Sequence, residues 1–374
     1  MSGVYIHVPY CKIKCEYCDF YSVVSNSSIA EFANLIDREL TLRDSYLPER
    51  NINTIYFGGG TPSLLTIGQI DQILRSITNR YSICTDPEIT LEANPDDLTR
   101  ENLKQMRSIG VNRLSIGIQS FSDHDLKQLG RRHNSQQALN AVRWAAEAGF
   151  DNISIDLIYG LPYSSTAVWQ QNLKQAFALP VKHLSCYHLI YEDGTPLQAR
   201  VTKGLVKPVD EELSVVQFNL LQQLAGQNGY EHYEISNLAK DGCFARHNTS
   251  YWKQVPYLGL GPSAHSYSGN TRDWNPRSIG KWANPLAKGE VIHTTENLST
   301  SDRINDYMLT SLRTIWGADI DYLKANFGDA VAQRMLHIAE KYCRLGSMTS
   351  TGKNFQIVPN RFLISDGIIT DFLV

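Results

Sequence analysis

The feature that most constrains the fold is a regular alternation of short apolar runs and amphipathic segments over residues 1–225. Six runs are rich in Ile, Val, Leu, Tyr or Thr, as buried parallel strands tend to be: Val4–Val8, Asn53–Phe57, Glu88–Glu92, Arg113–Ile118, Ile153–Ile158 and His183–Leu189. Helical patterns lie between and after them: Ser28–Leu47, Ile67–Tyr81, Thr99–Ile109, Asp123–Leu129, Gln136–Ala148, Thr166–Phe177 and Asp210–Leu224. Six β–α units predict an α/β fold with a parallel sheet curled into a partial barrel. Its functional residues should lie at the carboxyl ends of the strands.

The alternation stops near Gly226, where a second kind of sequence begins. Gly, Asn, Tyr, Trp and Pro become dense between Gly229 and Pro285. Helical patterns return at Asp302–Trp316, Ile320–Phe327 and Ala330–Leu345, followed by strand-like Phe355–Pro359 and Arg361–Ile364. We therefore expect two domains, a barrel at 1–225 and a smaller, mainly helical domain at 226–374, for which a winged helix is one candidate.

Composition and charge exclude several classes of function. The net charge is −3, which gives no electrostatic argument for nucleic acid or an anionic membrane as a partner. No window approaches the roughly 18 unbroken apolar residues of a membrane span. The first residues lack the pattern of a signal peptide. We therefore expect a cytoplasmic protein in a reducing compartment, with any membrane contact peripheral.

Three of the seven cysteines form a compact motif directly after the first predicted strand, at Cys11, Cys15 and Cys18. Spacings of three and two residues let one loop wrap three thiolates around a single inorganic centre, and soft sulfur selects zinc, copper(I) or iron–sulfur. A structural zinc site normally has four protein ligands, and the only nearby fourth candidate is His7, inside the strand. Three ligands better match a 4Fe–4S cubane with one iron left open.

This cysteine pattern after a first strand resembles that of the radical S-adenosylmethionine enzymes, whose fold is a partial barrel of six β–α units. The resemblance implies that the open iron chelates the amino and carboxylate groups of S-adenosylmethionine. It also implies that the reduced cluster cleaves the sulfonium to a 5′-deoxyadenosyl radical.

Polar and glycine residues at successive strand ends predict the wall of the cofactor site. Gly58, Gly59 and Gly60, with Thr61 and Pro62, follow the second strand, where glycine lets the backbone approach a ligand closely. Glu92 ends the third strand, Gln119 ends the fourth and Asp156 lies on the fifth. Such side chains within apolar strands are costly unless they meet a partner.

These segments resemble a narrower family, which contains the oxygen-independent coproporphyrinogen III dehydrogenase HemN and the haem chaperone HemW. The resemblance runs over nearly the whole chain. It implies that S-adenosylmethionine contacts Tyr5, Gly59, Gly60, Thr61, Glu92, Gln119, Arg131 and Asp156. Arg132, the neighbour of Arg131, is the alternative for that position.

Three features favour the chaperone branch of this family over the dehydrogenase. The dehydrogenase has a further cysteine where this chain has Phe20, and a long N-terminal extension where only four residues precede Tyr5. The segment from His247 to Trp252 matches the HNxxYW signature of the chaperones. Imidazole is a good axial ligand for haem iron, and flat aromatic rings suit a porphyrin, so His247 is the predicted haem ligand. His265 is the second choice and Cys243 the third.

The resemblance therefore implies a haem chaperone that binds haem, a 4Fe–4S cluster and S-adenosylmethionine, and delivers haem to membrane-bound respiratory proteins. It also implies a cluster-dependent homodimer. The runner-up is an enzyme that decarboxylates coproporphyrinogen III oxidatively by radical chemistry. A structural zinc protein is the third hypothesis.

Overall fold

The structure is a computed structural model that describes residues 2–24 and 28–374. Its strands are β1 (Ser2–Val8), β2 (Asn51–Gly59), β3 (Ser82–Ala93), β4 (Arg113–Gln119), β5 (Asn152–Tyr159), β6 (His183–His188), β7 (Glu231–Glu234), β8 (Asn237–Ala239), β9 (Tyr257–Leu260), β10 (His265–Tyr267), β11 (Thr271–Trp274), β12 (Thr294–Asn297), β13 (Ala318–Asp319), β14 (Met348–Ser350) and β15 (Asn354–Ile357). Its helices are α1 (Phe32–Leu42), α2 (Ile67–Thr78), α3 (Arg100–Ser108), α4 (Asp123–Gln128), α5 (Ser135–Glu147), α6 (Thr166–Phe177), α7 (Pro196–Thr202), α8 (Glu211–Gln227), α9 (Arg246–Trp252), α10 (Ile279–Leu286), α11 (Thr300–Ser311), α12 (Ile320–Phe327), α13 (Asp329–Arg344) and α14 (Ser365–Thr370).

A 12-stranded sheet organises the described part of the chain, in the order β12-β11-β10-β9-β1-β2-β3-β4-β5-β6-β8-β7. The strands β1 to β6 are parallel neighbours in chain order, which confirms the predicted α/β class and all six predicted strands. β1 pairs with β9 on its other side and β6 pairs with β8, so the barrel stays open between β1 and β6.

Local sequence signals explain where the helices of the parallel part begin and end. Thr66, Thr99 and Asn134 each form a capping box with the residue three positions later, which satisfies the first free amides of α2, α3 and α5. Gly110 and Gly149 follow α3 and α5 with φ of 102° and 87°, as expected of residues that end helices. No helix within residues 2–24 and 28–374 is long and apolar enough to cross a membrane.

The segment after α8 extends the sheet at both edges, which the sequence pattern did not predict. β7 and β8 continue the sheet beyond β6, and β9 to β12 continue it beyond β1. The division at 225 and 226 stays a prediction, and the central sheet runs across it. The expected strand at Arg361–Ile364 is wrong, because Pro359–Ile364 is a 3-10 helix.

The last part of the chain is mainly helical and carries a small second sheet. In chain order it contains α11, β13, α12, α13, β14 and β15, and the three strands pair in the order β13-β15-β14. That order of helices and strands is the one expected of a winged helix. Met308, Leu323, Met335, Phe355 and Phe372 are buried between its elements.

Candidate metal and cofactor centre

The cysteine loop leaves the carboxyl end of β1 and is fixed to the rest of the fold at several points. The Cys11 amide donates to the Val23 carbonyl at 3.0 Å, which closes the loop on itself. Further along, the Glu16 amide donates to the Leu129 carbonyl at 3.3 Å, and the Leu197 amide donates to the Glu16 carbonyl at 2.9 Å. The loop is therefore held by segments that follow α4 and begin α7.

The three thiols of this loop face one cleft, here called the thiol cleft, with a volume of about 500 Å³ including its open mouth. It is lined by Cys11, Ile13, Lys14, Cys15, Tyr17, Cys18, Ser22, Gly60, Thr61, Asn94, Asp96, Gly130, Arg131, Arg132 and His133. Thr61 Oγ1 donates to Cys11 Sγ at 3.4 Å, and Arg131 Nη1 donates to Cys15 Sγ at 3.4 Å. Burial, with the neighbouring thiols, raises the pKa of Cys18 to about 11.

This donor set fits an iron–sulfur cluster. Three soft sulfurs reach one cleft, and a hydroxyl and a guanidinium point at two of them, as suits thiolates rather than thiols. His7, the fourth candidate for a zinc site, is 4% exposed, and its ring nitrogens bond with the Tyr5 hydroxyl at 3.1 Å and the Tyr21 carbonyl at 2.9 Å. Among the described residues, no three His, Cys, Asp or Glu side chains converge as closely as a single metal ion requires.

The glycine loop after β2 lies directly against the start of the cysteine loop. Gly59 has φ of 106°, and a Cβ there would meet the His7 ring at 2.6 Å. A Cβ at Gly60 would meet the carbonyl oxygens of Tyr10 and Val8 at 2.8 Å, and the Gly60 amide donates to the Val8 carbonyl at 2.8 Å. Glycine is therefore required by close backbone packing, which brings Thr61 to the thiols.

Two half-buried carboxyl groups lie on the inner face of the parallel strands. Glu92 accepts hydrogen bonds from the Tyr56 hydroxyl at 2.7 Å and the Gly59 amide at 3.2 Å. Burial raises the pKa of Glu92 to about 7, and the charge of Asp156 adds to the shift. Burial also raises the pKa of Asp156 to about 6, although hydrogen bonds from Ser185 and Ser115 oppose it. Such a pair suits a cationic ligand, because a cation would stabilise both carboxylates.

Arg131 and Arg132 have different partners. Arg131 Nη2 donates to Asn94 Oδ1 and to the Gly117 carbonyl, both at 2.6 Å, while Nη1 reaches Cys15. Arg132 pairs with Asp96 at 2.6 Å and with Asp97 at 3.3 Å. Both line the thiol cleft, but only Arg131 contacts a thiol in the described structure.

Gln119 and Tyr5 lie on the neighbouring walls. Gln119 ends β4 with φ of 70°, at a register irregularity against β5, an arrangement that redirects a side chain. Its Nε2 is 3.0 Å from where a Cβ of Gly117 would be. The Tyr5 ring lies 6.1 Å from the Tyr56 ring, near Glu92. The structure thus gathers the predicted strand-end residues on one side of the sheet.

His247, the predicted haem ligand, is buried in the described structure, with 1% of its surface exposed. Its Nδ1 bonds with Thr54 Oγ1 at 2.8 Å and its Nε2 with the Tyr251 hydroxyl at 2.7 Å. Burial, together with Arg113, lowers the pKa of His247 to about 3. Iron could bind this ring only after one of these hydroxyls moved away. The alternative ligands differ: His265 is exposed and Cys243 is half-buried.

Several lining residues were not predicted from the sequence. Asn94 holds Arg131 and bonds to Thr61, and Tyr56 donates to Glu92. His133 is 3% exposed, donates from Nε2 to the Ile118 carbonyl at 3.1 Å, and leaves a buried Nδ1 without a partner among the described residues. The sequence feature that could have identified them is their position, because Asn94 comes two residues after Glu92 at a strand end and His133 directly follows Arg131 and Arg132.

Comparisons with known proteins identify relatives for most of the chain. The model of the radical SAM superfamily matches residues 5–170. Heme chaperone HemW of Bacillus subtilis (strain 168) is 33% identical over 331 residues, which cover 88% of this chain and 87% of that protein. Heme chaperone HemW of Escherichia coli (strain K12) is 31% identical over 378 residues, covering 94% of this chain and 95% of that protein.

One solved structure superposes on nearly all of the chain. It is coproporphyrinogen III oxidase (HemN) from Escherichia coli, a radical SAM enzyme, with a TM-score of 0.85 over 99% of this chain and 89% of that chain. The sequence identity is 21%, so this likeness shows a shared fold.

Proposed function

The chain belongs to the HemW family of the radical S-adenosylmethionine superfamily, and we propose that it is a haem chaperone, which binds haem and passes it to another protein. Membership of the superfamily implies a 4Fe–4S cluster and S-adenosylmethionine. The similarity to haem chaperones along most of the chain is the observation that carries the proposal.

The proposed cluster ligands are the thiolates of Cys11, Cys15 and Cys18. Their position around one cleft supports this assignment, as do the donors from Thr61 and Arg131. A cubane held by three protein thiolates keeps one iron open for a further ligand. When bound, the cluster supplies one-electron chemistry at the sulfonium of S-adenosylmethionine.

The proposed contacts of S-adenosylmethionine are Tyr5, Gly59, Gly60, Thr61, Glu92, Gln119, Arg131 and Asp156. The half-buried carboxyl pair of Glu92 and Asp156 supports a ligand with positive charge, because an ammonium and a sulfonium favour ionised carboxylates. The guanidinium of Arg131 lines the thiol cleft beside Cys15. Its positive charge supports the binding of a ligand that carries a carboxylate. The glycine loop allows the backbone to come close to such a ligand.

Haem and its acceptor complete the proposal. We expect the acceptors to be membrane-bound respiratory proteins that need haem, and the chain to act in the cytoplasm, with peripheral membrane contact and a cluster-dependent homodimer. The predicted role of His247 as haem ligand stays a prediction.

One experiment separates the chaperone from the runner-up enzyme. The full chain is reconstituted anaerobically with iron and sulfide, reduced, and given either haem or coproporphyrinogen III together with S-adenosylmethionine. We expect stoichiometric haem uptake and no decarboxylated product. Catalytic turnover of coproporphyrinogen III would overturn the proposal and favour oxidative decarboxylation.

A further inference from the structure

A second cleft lies beside α9 and has no part in the cluster or cofactor contacts proposed above. Its volume is about 740 Å³ including its open mouth. We call it the tyrosine cleft, and it is lined by Tyr251, Gln254, Val255, Tyr257, His265, Ser266, Tyr267, Arg272, Asp306, Leu309 and Thr310. Three tyrosine rings give it the flat, largely apolar walls that suit a planar aromatic ligand.

This cleft opens on the same face of the sheet as the proposed cofactor site. Tyr257 on β9 pairs with Gly3 on β1, and paired residues point to the same face. A Cβ at Gly3 would meet Thr54 Oγ1 at 2.8 Å and the His247 ring at 3.3 Å. The His247 ring therefore lies against the face of the sheet to which Gly3 and Tyr257 point. Tyr267 pairs in turn with Tyr257. The tyrosine cleft thus continues the inner face beyond the edge of the six parallel strands.

His265 gives the cleft an available metal ligand. Its side chain is exposed and makes no hydrogen bond to any described residue, and its ring lies 6.1 Å from the Trp274 ring at an angle of 27°. Both nitrogens of the His265 ring are therefore without a partner among the described residues, and a neutral imidazole at this place has a lone pair that can bind iron.

His247 has the opposite environment, and its contacts explain its place in the HNxxYW segment. Both ring nitrogens are bonded, and one of them holds the Tyr251 hydroxyl at 2.7 Å. Tyr251 lines the cleft, and its ring packs edge-on against Tyr257 at 4.5 Å. His247 thus acts as a positioning residue for a wall of the cleft.

The strand that carries His265 is rigidly anchored. Glu39 on α1 is fully buried and accepts hydrogen bonds from the Gly261 amide at 2.8 Å and from Asn275 Nδ2 at 2.6 Å. The Gly259 amide donates to Ser266 Oγ at 2.9 Å, next to His265. This fixed backbone holds the His265 imidazole at the mouth of the cleft, beside the Trp274 ring.

We propose that haem binds in the tyrosine cleft with His265 as an axial ligand of its iron and with Tyr251, Tyr257 and Tyr267 against the porphyrin. This assignment rests on the proposed function, because it assumes that the chain binds haem. Arg272 lines the cleft, ion-paired with Asp306 and, at 3.6 Å, with Glu296, and it supplies a cation that a propionate can share.

The test compares haem-loaded full-length chains by absorption and EPR spectroscopy. His265→Ala should lose the axial imidazole signature and bind haem at least about tenfold more weakly, and added imidazole should restore the signature. His247→Gln should keep the signature, with folding checked by circular dichroism. His337→Ala, an exposed histidine on α13, is the matched control and should resemble the wild type.

Three outcomes would overturn the assignment. A His265→Ala spectrum that matches the wild type excludes His265 as the ligand. A folded His247→Gln chain that loses the signature while His265→Ala keeps it assigns the iron to His247 and leaves haem binding intact. A wild-type chain that takes up no haem removes the proposed function as well.

Discussion

At the scale of single residues, Gly60 determines how closely the loop after β2 can approach the cysteine loop. The nearest atoms to a Cβ at this position are two backbone oxygens, of Tyr10 and Val8, which cannot turn aside as a flexible side chain would. The neighbouring Thr61 reaches Cys11 only because this approach is possible.

Gly60→Ala should therefore lower both stability and affinity for S-adenosylmethionine. We expect a loss of about 1–3 kcal/mol in the free energy of unfolding, because the backbone must move to admit the methyl group. Urea denaturation and calorimetric titration measure the two effects. Gly68→Ala, on α2 with nothing within 4 Å of its Cβ, is the control and should be neutral or slightly stabilising. A Gly60→Ala chain equal to the wild type in both measurements would contradict the packing argument.

Glu92 is the residue whose ionisation should most affect the proposed cofactor site. Its pKa is raised from 4.5 to about 7, so the folded chain binds a proton over a range of pH in which the unfolded chain has lost it. Its contribution to stability therefore falls as the pH rises through that range, by at most about 3 kcal/mol, and is constant above it. Buried His247, whose pKa is lowered to about 3, acts in the opposite direction, so only a difference between variants isolates Glu92.

Glu92→Gln should remove this dependence. The free energy of unfolding of the wild type, minus that of Glu92→Gln, should fall by about 2–3 kcal/mol between about pH 5 and about pH 8. Urea denaturation of the apoprotein at several pH values measures it, with the exposed Glu101→Gln as the control. A difference that stays constant, or that grows with pH, would show that Glu92 is not protonated as the structure implies.

The strand-end residues of the site could be identified from their position along a strand. Residue type was a poorer guide to the environment of residues elsewhere in the chain. Glu92 and Gln119 were identifiable because the carboxyl ends of parallel strands meet at one edge. The environment of His247 was not, because its ring depends on Thr54, a residue 193 positions away. A histidine beside aromatic residues is a candidate haem ligand in the sequence, but the sequence does not show whether its ring nitrogens are already hydrogen-bonded.

At the scale of elements, the strongly periodic parts of the chain were predictable and the short strands were not. Helices α6 and α12 have the bounds that their patterns predicted. Five of the parallel strands were identified to within two residues at each end, whereas β3 begins at Ser82, six residues before the predicted Glu88. Strands β8 and β10 have three residues each, too few to show a period, and their identity comes from pairing with distant strands. β9 joins β1 through Tyr257 and Gly3, a pairing that no local pattern encodes.

The contact between α1 and the loop after β9 depends on one buried carboxyl group. Glu39 accepts from Gly261, Asn275 and Trp282, the last at 2.8 Å, and lies 4.0 Å from Arg43. Burial raises the pKa of Glu39, while these partners oppose the shift. Three donors and one cation would lose their acceptor if the carboxyl group were removed.

Glu39→Ala should destabilise the fold by about 3–5 kcal/mol, because it leaves buried donors and the Arg43 guanidinium without their partner. Urea denaturation measures the change. Glu31→Ala, an exposed position just before the same helix, should cost less than about 0.5 kcal/mol. If the two variants were equally stable, the buried network would contribute nothing to holding the loop of His265.

At the scale of the whole molecule, the open sheet presents two clefts on its inner face. The thiol cleft lies at the carboxyl end of β1, and the tyrosine cleft lies on the extension made by β9 and β10. A Cβ at Gly261, directly after β9, would lie 2.5 Å from the His7 carbonyl oxygen, so the two regions are neighbours. A protein that combines a cluster with haem can therefore hold both on one continuous surface.

We propose above all that Cys11, Cys15 and Cys18 hold a 4Fe–4S cluster whose open iron binds S-adenosylmethionine. The most direct measurement is EPR spectroscopy of the reconstituted, reduced chain before and after S-adenosylmethionine is added. We expect a cluster signal whose g-values shift on addition. The signal should be absent in Cys15→Ala and retained in Cys84→Ala, which removes a half-buried thiol on β3. A signal that S-adenosylmethionine leaves unchanged, or that survives Cys15→Ala, would contradict it.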